Sequence, residues 1–333
     1  MNAPLVRRVE PAAPDPAVIA EAAGRLRAGG LVAFPTETVY GLGASALDAD
    51  AVGRVFAAKG RPPTNPVIVH VPGAAEARLV AARWPAGAEA LARRFWPGPL
   101  TLVLPRGAQV PLAVTAGLEQ VAVRAPRHPV ALALLRAAGL PVAAPSANRS
   151  TRLSPTTAAH VVAALGDRVD LVLDGGPTDV GIESTVLDLT GDVPRILRPG
   201  VVTATEIAAV LGVPVGVATG AVADDAARAS PGMMALHYAP RARVVLAAGG
   251  EVPGAVARLR AAGHRVGALV HRADPGEAAL ARRLPADPAG YARALYAALH
   301  DLDAACDAIV VEEVPDGEAW AGVRDRLARA GSR

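Results

Sequence analysis

Short apolar runs alternate along the chain with longer amphipathic stretches, and proline or glycine marks many of the boundaries. Apolar runs of about four to eight residues are typical of buried strands, whereas apolar positions three or four apart are typical of helices. Asp15-Pro16 predicts the start of a first helix and Gly29-Gly30 its end. Residues 31–34 then form the first predicted strand.

The same signals continue to residue 211. Helices are predicted from Asp48 or Asp50 to about Ala58, from a Ser154-Pro155 start to about Leu165, and over residues 203–211. Strands are predicted over residues 67–71, 100–104, 121–124, 141–144, 170–173, 184–189 and 195–197. Because the spacing is irregular, the pattern favours a mixed α/β sheet over a repeating βαβ array.

The pattern weakens over residues 212–229, where small residues predict a linker. Residues 230–240 follow, with both non-initiator methionines and Tyr238, and predict either a strap packed on a core or a lid. Strands over 244–246, 266–270 and 308–311, separated by helices, then predict a small Rossmann-like, mostly parallel α/β domain. The predicted units are residues 12–212, a linker or lid over 213–241, and a second domain over 242–333.

Composition supports two folded domains. Hydrophobic residues make up 52 % of the 333 residues and charged residues 20 %, which is enough apolar material for a large core. A formal charge of +3 does not indicate a protein that coats nucleic acid, but it permits anionic ligands at local arginine clusters. The single cysteine, Cys306, excludes an internal disulfide and a multi-cysteine zinc site. Without a signal-peptide pattern or an apolar run of ~18–20 residues, a cytoplasmic protein with no membrane contact is predicted.

Rare polar residues concentrate in two short segments. Lys59 is the only lysine among 34 basic residues, and Asn65 and Asn148 are two of only three asparagines. They fall in residues 59–66 and 145–148, so a polar site built from these segments is predicted. The alternative is that Lys59 is a leftover surface residue.

Several common catalytic motifs are missing from the sequence. There is no P-loop, no His-Glu-x-x-His pair and no Gly-x-Ser-x-Gly elbow, and residues 41–43 hold only half of a dinucleotide fingerprint. We therefore predict neither a protein-held metal nor a serine hydrolase.

Cationic and amide side chains at strand ends supply the remaining chemistry. Lys59 as a point charge and Arg61 as a planar fork suit a polyphosphate, and the amide of Asn65 can hold the same ligand. Ser146 and Asn148 follow a predicted buried strand, where α/β sheets usually bind ligands.

Two arginines end apolar strands. Arg124 and Arg198 are each either an edge charge or a receptor for a carboxylate. Residues 36–38, Thr-Glu-Thr, form either a capped turn or a recess for a small polar substrate.

Several motifs together resemble the Sua5/YrdC family. The matching segments cover roughly residues 12–212 and are 34–43 (FPTETVYGLG), 59–61 (KGR), 96–101 (WPGPLT), 123–126 (VRAP), 146–148 (SAN), 183–186 (ESTV) and 198–200 (RPG). Residues 230–240 are similar to the linker of the longer Sua5 branch. The whole chain is thus similar to two-domain threonylcarbamoyl-AMP synthases of that family.

The resemblance implies a YrdC-like twisted sheet around a basic concave cavity. It also implies synthesis of L-threonylcarbamoyladenylate from L-threonine, bicarbonate and ATP, with release of pyrophosphate and with Mg²⁺ carried by the ATP phosphates. The product would serve a threonylcarbamoyl transferase complex that modifies position 37 of tRNA, and weak tRNA binding is a further implication.

The same resemblance assigns side chains to ligands. Those implied to contact threonine are Thr38, His70, Arg124 and Ser184. Those implied to contact ATP or the adenylate are Lys59, Arg61, Asn65, Gln120, Ser146, Asn148, Ser154 and Arg198, with Tyr238 closing over the site. Gln120 stands where many members have threonine, so its backbone would make the contact. Lys59 and Arg61 are the predicted catalytic pair.

Two other functions share this kind of domain. One is non-catalytic binding of RNA by the concave basic face, against which the modest charge and the 3 % aromatic content argue. The other is carbamoyl transfer in hydrogenase maturation, whose members carry cysteine-rich zinc modules that a chain with one cysteine lacks.

Overall fold

A computed structural model of the chain describes residues 4–218 and 238–331. Within these ranges the chain forms an eleven-stranded sheet and a separate four-stranded sheet. We refer to residues 4–218 as the first domain and to residues 238–331 as the second domain. Over both ranges, no helix combines the length and the apolar character needed to cross a membrane.

The first domain is built on a mixed sheet. Its strands are β1 (Leu5–Arg8), β2 (Val32–Phe34), β3 (Gly41–Ser45), β4 (Val69–His70), β5 (Leu100–Pro105), β6 (Gln120–Arg124), β7 (Val142–Ala143), β8 (Leu171–Asp174), β9 (Thr185–Asp188), β10 (Arg195–Arg198) and β11 (Gly216–Val217). They follow the order β1-β8-β2-β3-β7-β4-β6-β5-β9-β10-β11. Parallel pairs such as β4 with β6 alternate with antiparallel pairs such as β5 with β6, which confirms the predicted mixed sheet.

Helices cover both faces of this sheet. They are α1 (Pro16–Arg27), α2 (Ala49–Lys59), α3 (Ala74–Val80), α4 (Ala86–Phe95), α5 (Pro129–Ala138), α6 (Ala158–Leu165) and α7 (Ala204–Leu211). Helices α1 and α5 share a core with Val32 and Phe34 of β2, whereas α2 and α6 share one with Ala33. Successive strand residues point to opposite faces, so the two helix pairs sandwich β2.

Local capping fixes where α2 starts and stops. The Asp48 carboxylate accepts from the backbone N–H groups of Asp50 and Ala51, and Gly60 ends the helix in the left-handed conformation at φ 61°. This ending places Lys59 in the last turn and carries the chain directly to Arg61.

The second domain is a small parallel α/β unit, as predicted. Its elements are β12 (Arg243–Ala247), β13 (Val266–Val270), β14 (Leu280–Arg283), β15 (Ala308–Glu312), α8 (Val252–Ala261), α9 (Pro288–Ala305) and α10 (Ala321–Ala330). The strand order is β12-β15-β13-β14, and every pair is parallel. Helices α9 and α10 pack on one side of the sheet and α8 on the other.

The two domains share one hydrophobic core. Val39 and Ile182 of the first domain belong to the same buried cluster as Tyr291 and Leu295 of α9. The backbones also approach closely, because a Cβ added to Gly322 would lie 3.0 Å from the Cα of Gly200. The second domain is therefore packed directly against the first.

The structure differs from the sequence predictions at several boundaries. Strands β1 and β11 extend the first sheet beyond the predicted limits of residues 12 and 212. Strand β3 was not predicted, since it is built from small residues. A Cβ on Gly43 would meet side-chain atoms of Phe34 at 2.8 Å and Val142 at 2.9 Å, so close packing requires glycine there. Helix α6 begins at Ala158 with Thr157 as its cap, not at Ser154.

Candidate active site

One cavity opens where the ends of β2, β4, β6 and β10 meet the start of the second domain. The space inside it that a water molecule could occupy is only about 40 Å³, so the cavity is narrow. Its walls are formed by Thr36, Thr38, Val39, Gly41, Arg61, Ile68, His70, Arg124, Ala144, Pro145, Ser146, Glu183, Ser184, Arg198 and Tyr238.

Arg124 is fixed at one wall of the cavity. At the end of β6 it is 3 % exposed and forms an ion pair with Glu37, with Nη2 2.7 Å from Oε1. Its Nη1 donates to the Thr38 hydroxyl at 2.9 Å and its Nε to the Gly98 carbonyl at 3.2 Å. The two hydrogen bonds use two of the five N–H groups of the guanidinium, and the contact with Glu37 is an ion pair without hydrogen-bond geometry. Arg124 can thus offer a ligand carboxylate a preorganised donor pair.

His70 lies next to Arg124 in the register of β4 and β6. Burial, together with the charge of Arg124, lowers the pKa of His70 to about 3. The imidazole is therefore neutral near pH 7. Its Nδ1 lies 3.3 Å from the Ile68 carbonyl, which can only accept, so Nδ1 carries the proton. The lone pair on Nε2 is left as an acceptor at the cavity wall.

Arg61 and Asn65 form one rigid unit. The guanidinium of Arg61 donates from Nε to the Asn65 carbonyl at 3.0 Å and from Nη2 to the Asn65 amide oxygen at 2.6 Å. A further bond from Nη2 reaches the Pro66 carbonyl at 2.6 Å. Asn65 is fully buried, so it orients Arg61 towards the cavity.

Lys59 lies behind the loop at residues 146–148. Its Nζ donates to the carbonyls of Ser146 and Asn148 at 2.5 and 2.6 Å and to the Asn148 amide oxygen at 3.0 Å. Burial and the neighbouring Arg61 hold the pKa of Lys59 well below its usual range. Three accepting oxygens nevertheless require three N–H donors, which only the ammonium form supplies. Lys59 therefore acts on the loop, and its three hydrogens are engaged there.

The opposite wall is held by Arg198. Its Nε and Nη2 donate to the Ser184 carbonyl at 3.1 and 3.0 Å, and Nη2 also reaches the Ser184 hydroxyl at 3.1 Å. Nη1 lies 3.4 Å from the hydroxyl of Tyr238. The Ser184 hydroxyl also lies 2.8 Å from that of Thr101. Ser184, Arg198 and Tyr238 are thus connected at one side of the cavity.

The structure brings most of the predicted site residues together, some at the cavity wall and others directly behind it. Those at the cavity wall are Thr38, Arg61, His70, Arg124, Ser146, Ser184, Arg198 and Tyr238. Those behind it, hydrogen-bonded to cavity-lining groups, are Lys59, Asn65, Asn148 and Ser154.

Gln120 is not brought to this cavity. It begins β6, whereas Arg124 ends it, and its amide donates to the Thr190 hydroxyl at 2.8 Å. Four residues of extended strand separate the two side chains by roughly 13 Å. Of the predicted lid over residues 230–240, residues 230–237 lie outside the described ranges, and Tyr238 is buried at the cavity wall.

Sequence reasoning missed three side chains that hold the site, Glu183, Tyr296 and Arg326, and gave Glu37 only as part of a possible recess. Glu37 pairs with Arg124, and Glu183 accepts bonds from Ser154, Tyr296 and Arg326. Glu37 lies in the motif at residues 34–43 and Glu183 in the motif at residues 183–186. Their position beside an apolar strand could have indicated a role in the site. No local signal marks Tyr296 and Arg326, which reach the site from the second domain.

Three guanidinium groups from separate segments thus line one cavity, together with a neutral imidazole and several hydroxyls. Such a surface favours a ligand with a carboxylate and phosphates.

Two family models match the chain over adjoining ranges. A model of the Sua5/YciO/YrdC family, described as "Telomere recombination", matches residues 25–200. A second, described as "Threonylcarbamoyl-AMP synthase, C-terminal domain", matches residues 202–332. Together they cover both domains.

Relatives named threonylcarbamoyl-AMP synthase are similar over nearly the whole chain. The threonylcarbamoyl-AMP synthase of Bacillus subtilis is 43 % identical over 323 residues, which cover 94 % of this chain and 92 % of that protein. The enzyme of the same name from Pyrococcus abyssi is 43 % identical over 317 residues, or 93 % and 92 %. The crystal structure of P. abyssi Sua5 complexed with L-threonine superposes with a TM-score of 0.93 at 40 % identity and covers 98 % of this chain and 97 % of that one.

Proposed function

The chain belongs to the Sua5/YrdC family in its two-domain form, that of the threonylcarbamoyl-AMP synthases, and on that premise we propose how its cavity works. The enzyme joins L-threonine, bicarbonate and ATP to give L-threonylcarbamoyladenylate, pyrophosphate and water. The observation that carries this assignment of the cavity is the convergence of Arg61, Arg124 and Arg198 on one space.

The Arg124 wall is proposed to hold threonine. A carboxylate placed against Arg124 would complete the donor set that Glu37, Thr38 and Gly98 leave open. The neutral Nε2 of His70 can accept a hydrogen bond from the threonine amine or hydroxyl. Because the imidazole is neutral, it acts on the amine as a hydrogen-bond acceptor and not as a charge.

The opposite walls are proposed to hold ATP. Arg61, Ser146 of the loop at residues 146–148, Arg198 and Tyr238 all line the cavity. Their charge would stabilise the negative charge that develops on the phosphates during in-line displacement. In this arrangement Lys59 supports the loop, while Arg61 faces the ligand.

Two bond-forming steps account for the products. Bicarbonate loses hydroxide to give CO2, and the hydroxide takes a proton from the threonine ammonium and leaves as water. The amine nitrogen then attacks the CO2 carbon, so that a C–N bond forms as one C–O π bond opens, and the N–H proton passes to solvent, which leaves a carbamate. A carbamate oxygen then attacks the α-phosphorus of ATP, and the bond to pyrophosphate breaks. No group of the protein forms a covalent bond, so the cavity acts by positioning and by charge.

Mg²⁺ is proposed to enter with ATP. The cavity-lining carboxylate of Glu183 is already bonded to Arg326, Tyr296 and Ser154, so the oxygens suited to the ion are those of the phosphates. When bound there, Mg²⁺ would neutralise charge at the leaving pyrophosphate. The same proposal places the enzyme in the cytoplasm, where a threonylcarbamoyl transferase complex would pass the product to tRNA.

Pyrophosphate release tests this function. Purified protein, ATP, Mg²⁺ and bicarbonate should release pyrophosphate only when L-threonine is added, and mass spectrometry should detect the adenylate. L-valine, which lacks the hydroxyl, is the matched control substrate and should react far more slowly. Pyrophosphate release that is independent of L-threonine, or none at all, would refute the proposal.

A further inference from the structure

Glu183 is a cavity-lining carboxylate that is 6 % exposed. Its Oε1 accepts a short hydrogen bond from the Ser154 hydroxyl, and its Oε2 accepts from the Tyr296 hydroxyl at 3.1 Å. The Nε of Arg326 donates to the same Oε2 at 2.9 Å. Two of these three donors, Tyr296 and Arg326, belong to the second domain.

Arg326 also bonds to the backbone on both sides of the cavity wall. Its Nη2 donates to the Glu183 carbonyl at 3.2 Å and its Nη1 to the Pro199 carbonyl at 2.7 Å. These two residues adjoin Ser184 and Arg198 in the chain. One buried guanidinium from α10 therefore bridges the two segments from which those side chains enter the cavity.

Tyr238 lies between Arg326 and Arg198. The guanidinium carbon of Arg326 is 5.2 Å from the Tyr238 ring centroid, and the Tyr238 hydroxyl is 3.4 Å from Nη1 of Arg198. The rings of Tyr238 and Tyr296 are 6.2 Å apart. The contacts thus form a connected group from α9 and α10 to the cavity.

Charge gives Arg326 a second effect. Burial alone would raise the pKa of Glu183, but Arg326 and Arg198 hold it below its usual range, so the carboxylate stays ionised. Unpaired, that negative charge would oppose phosphates and would attract Arg198 away from them. Arg326, which is 1 % exposed, pairs with Glu183 and offsets this negative charge at the cavity wall.

We propose that Arg326, assisted by Tyr296, is a positioning residue of the first domain's active site, by which the second domain completes the wall formed by Ser184 and Arg198. This inference rests on the proposed function, in which that wall binds threonine and ATP. The second domain thereby becomes part of the synthetic machinery through contacts that neutralise Glu183 and fix its backbone.

The test compares four variants of the full chain: Arg326→Met, Glu183→Gln, the double variant and Arg324→Met. Arg324 is on the same helix, is partly exposed and donates to Pro315 within the second domain, so it is the matched control. The readouts are KM for L-threonine and for ATP, kcat, and the melting temperature.

Arg326→Met should raise one or both KM values by about tenfold or more, because it leaves a buried carboxylate unpaired beside the ligands. Adding Glu183→Gln should recover a large part of that loss, since the unpaired charge is gone. Arg324→Met should behave as the wild type does. Wild-type KM and kcat in Arg326→Met, or an equal defect in the double variant, would overturn the inference.

Tyr296→Phe covers the case in which Arg326→Met does not fold. It removes one bond to Glu183 at nearly constant volume, and it should raise KM for L-threonine by about three- to tenfold. If Arg326→Met does not fold, unchanged KM and kcat in Tyr296→Phe would overturn the inference. An inactive wild type would instead refute the proposed function, so the two failures are distinguishable.

Discussion

The side-chain nitrogen of Lys59 donates to Asn148 twice, to its backbone carbonyl at 2.6 Å and to its amide oxygen at 3.0 Å. The amide oxygen of Asn148 also accepts a hydrogen bond from the Ser146 hydroxyl at 2.7 Å. The buried ammonium group of Lys59 therefore supports the loop at residues 146–148. It explains how a lysine that does not line the cavity can still control its shape.

Lys59→Ala should remove most of the synthase activity. The substitution removes three hydrogen bonds to the loop, although the Ser146 carbonyl and the Asn148 amide oxygen each keep one other donor, so the loop should shift away from the proposed ATP position. We expect a loss of about 2–4 kcal/mol of transition-state stabilisation, together with a lower melting temperature. Pyrophosphate release and ATP calorimetry measure the effect, with Arg54→Ala on the exposed side of α2 as control. Wild-type turnover would refute the supporting role.

Arg124→Lys should weaken threonine far more than ATP. An ammonium cannot reproduce the planar fork that meets Glu37, Thr38 and a ligand carboxylate together. Calorimetry with each ligand separately measures the difference, and Arg127→Lys, an exposed neighbour, serves as control. Equal losses for both ligands would show that Arg124 does not receive the threonine carboxylate.

The free energy of unfolding should decrease as the pH falls below the pKa of a free imidazole, and His70 contributes part of that decrease. The pKa of His70 is about 3 in the folded chain, against roughly 6.5 when the imidazole is free. Between these values the unfolded chain binds the extra proton, so acidification favours unfolding by about 1.4 kcal/mol per pH unit.

Denaturant titrations of wild type and His70→Gln between pH 7 and pH 4 isolate this contribution. The variant should show a flatter dependence of the unfolding free energy on pH, by about the slope of one proton. His264→Gln, at a partly exposed histidine of the second domain, is the control. Identical slopes for wild type and His70→Gln would contradict the prediction.

Ligand should protect residues 230–240 from limited proteolysis if that segment closes over the cavity. Tyr238 is 1 % exposed, so Tyr238→Ala would also leave a buried void and reduce stability by about 3–5 kcal/mol. Tyr238→Phe is the sharper variant, because it removes only the hydroxyl near Arg198. We expect faster loss of bound adenylate from Tyr238→Phe at a nearly unchanged melting temperature. If saturating ATP does not change the rate of cleavage within residues 230–240, the segment is a static strap between the domains and not a lid.

The elements with strong local signals could be predicted from the sequence. Asp15 caps α1 through its side chain, and the apolar run before Arg124 forms β6 with the arginine at its end. Strand β1 was missed because it has only four residues, two apolar and then two charged, and lies at a sheet edge. Strand β3 was missed because its small residues carry little strand propensity.

The site could be predicted only where local motifs define it. Motif positions placed Arg61, His70 and Arg124 in one cavity, but they do not distinguish a lining residue from a supporting one such as Lys59. Gln120 shows the same limit, since a position in a strand does not reveal which strand end faces the ligand. Arg326 lies 143 residues from Glu183 in the chain, and only the tertiary fold brings the two together.

The shared core of the two domains has a consequence for a cut chain. The contacts of Arg326 with Glu183 and Pro199, and the close backbones of Gly200 and Gly322, are made outside the segment that connects the domains. A nick between residues 219 and 237 should therefore leave two fragments that elute as a single particle. The polypeptide could then be supplied as two separate genes and still assemble one catalytic unit.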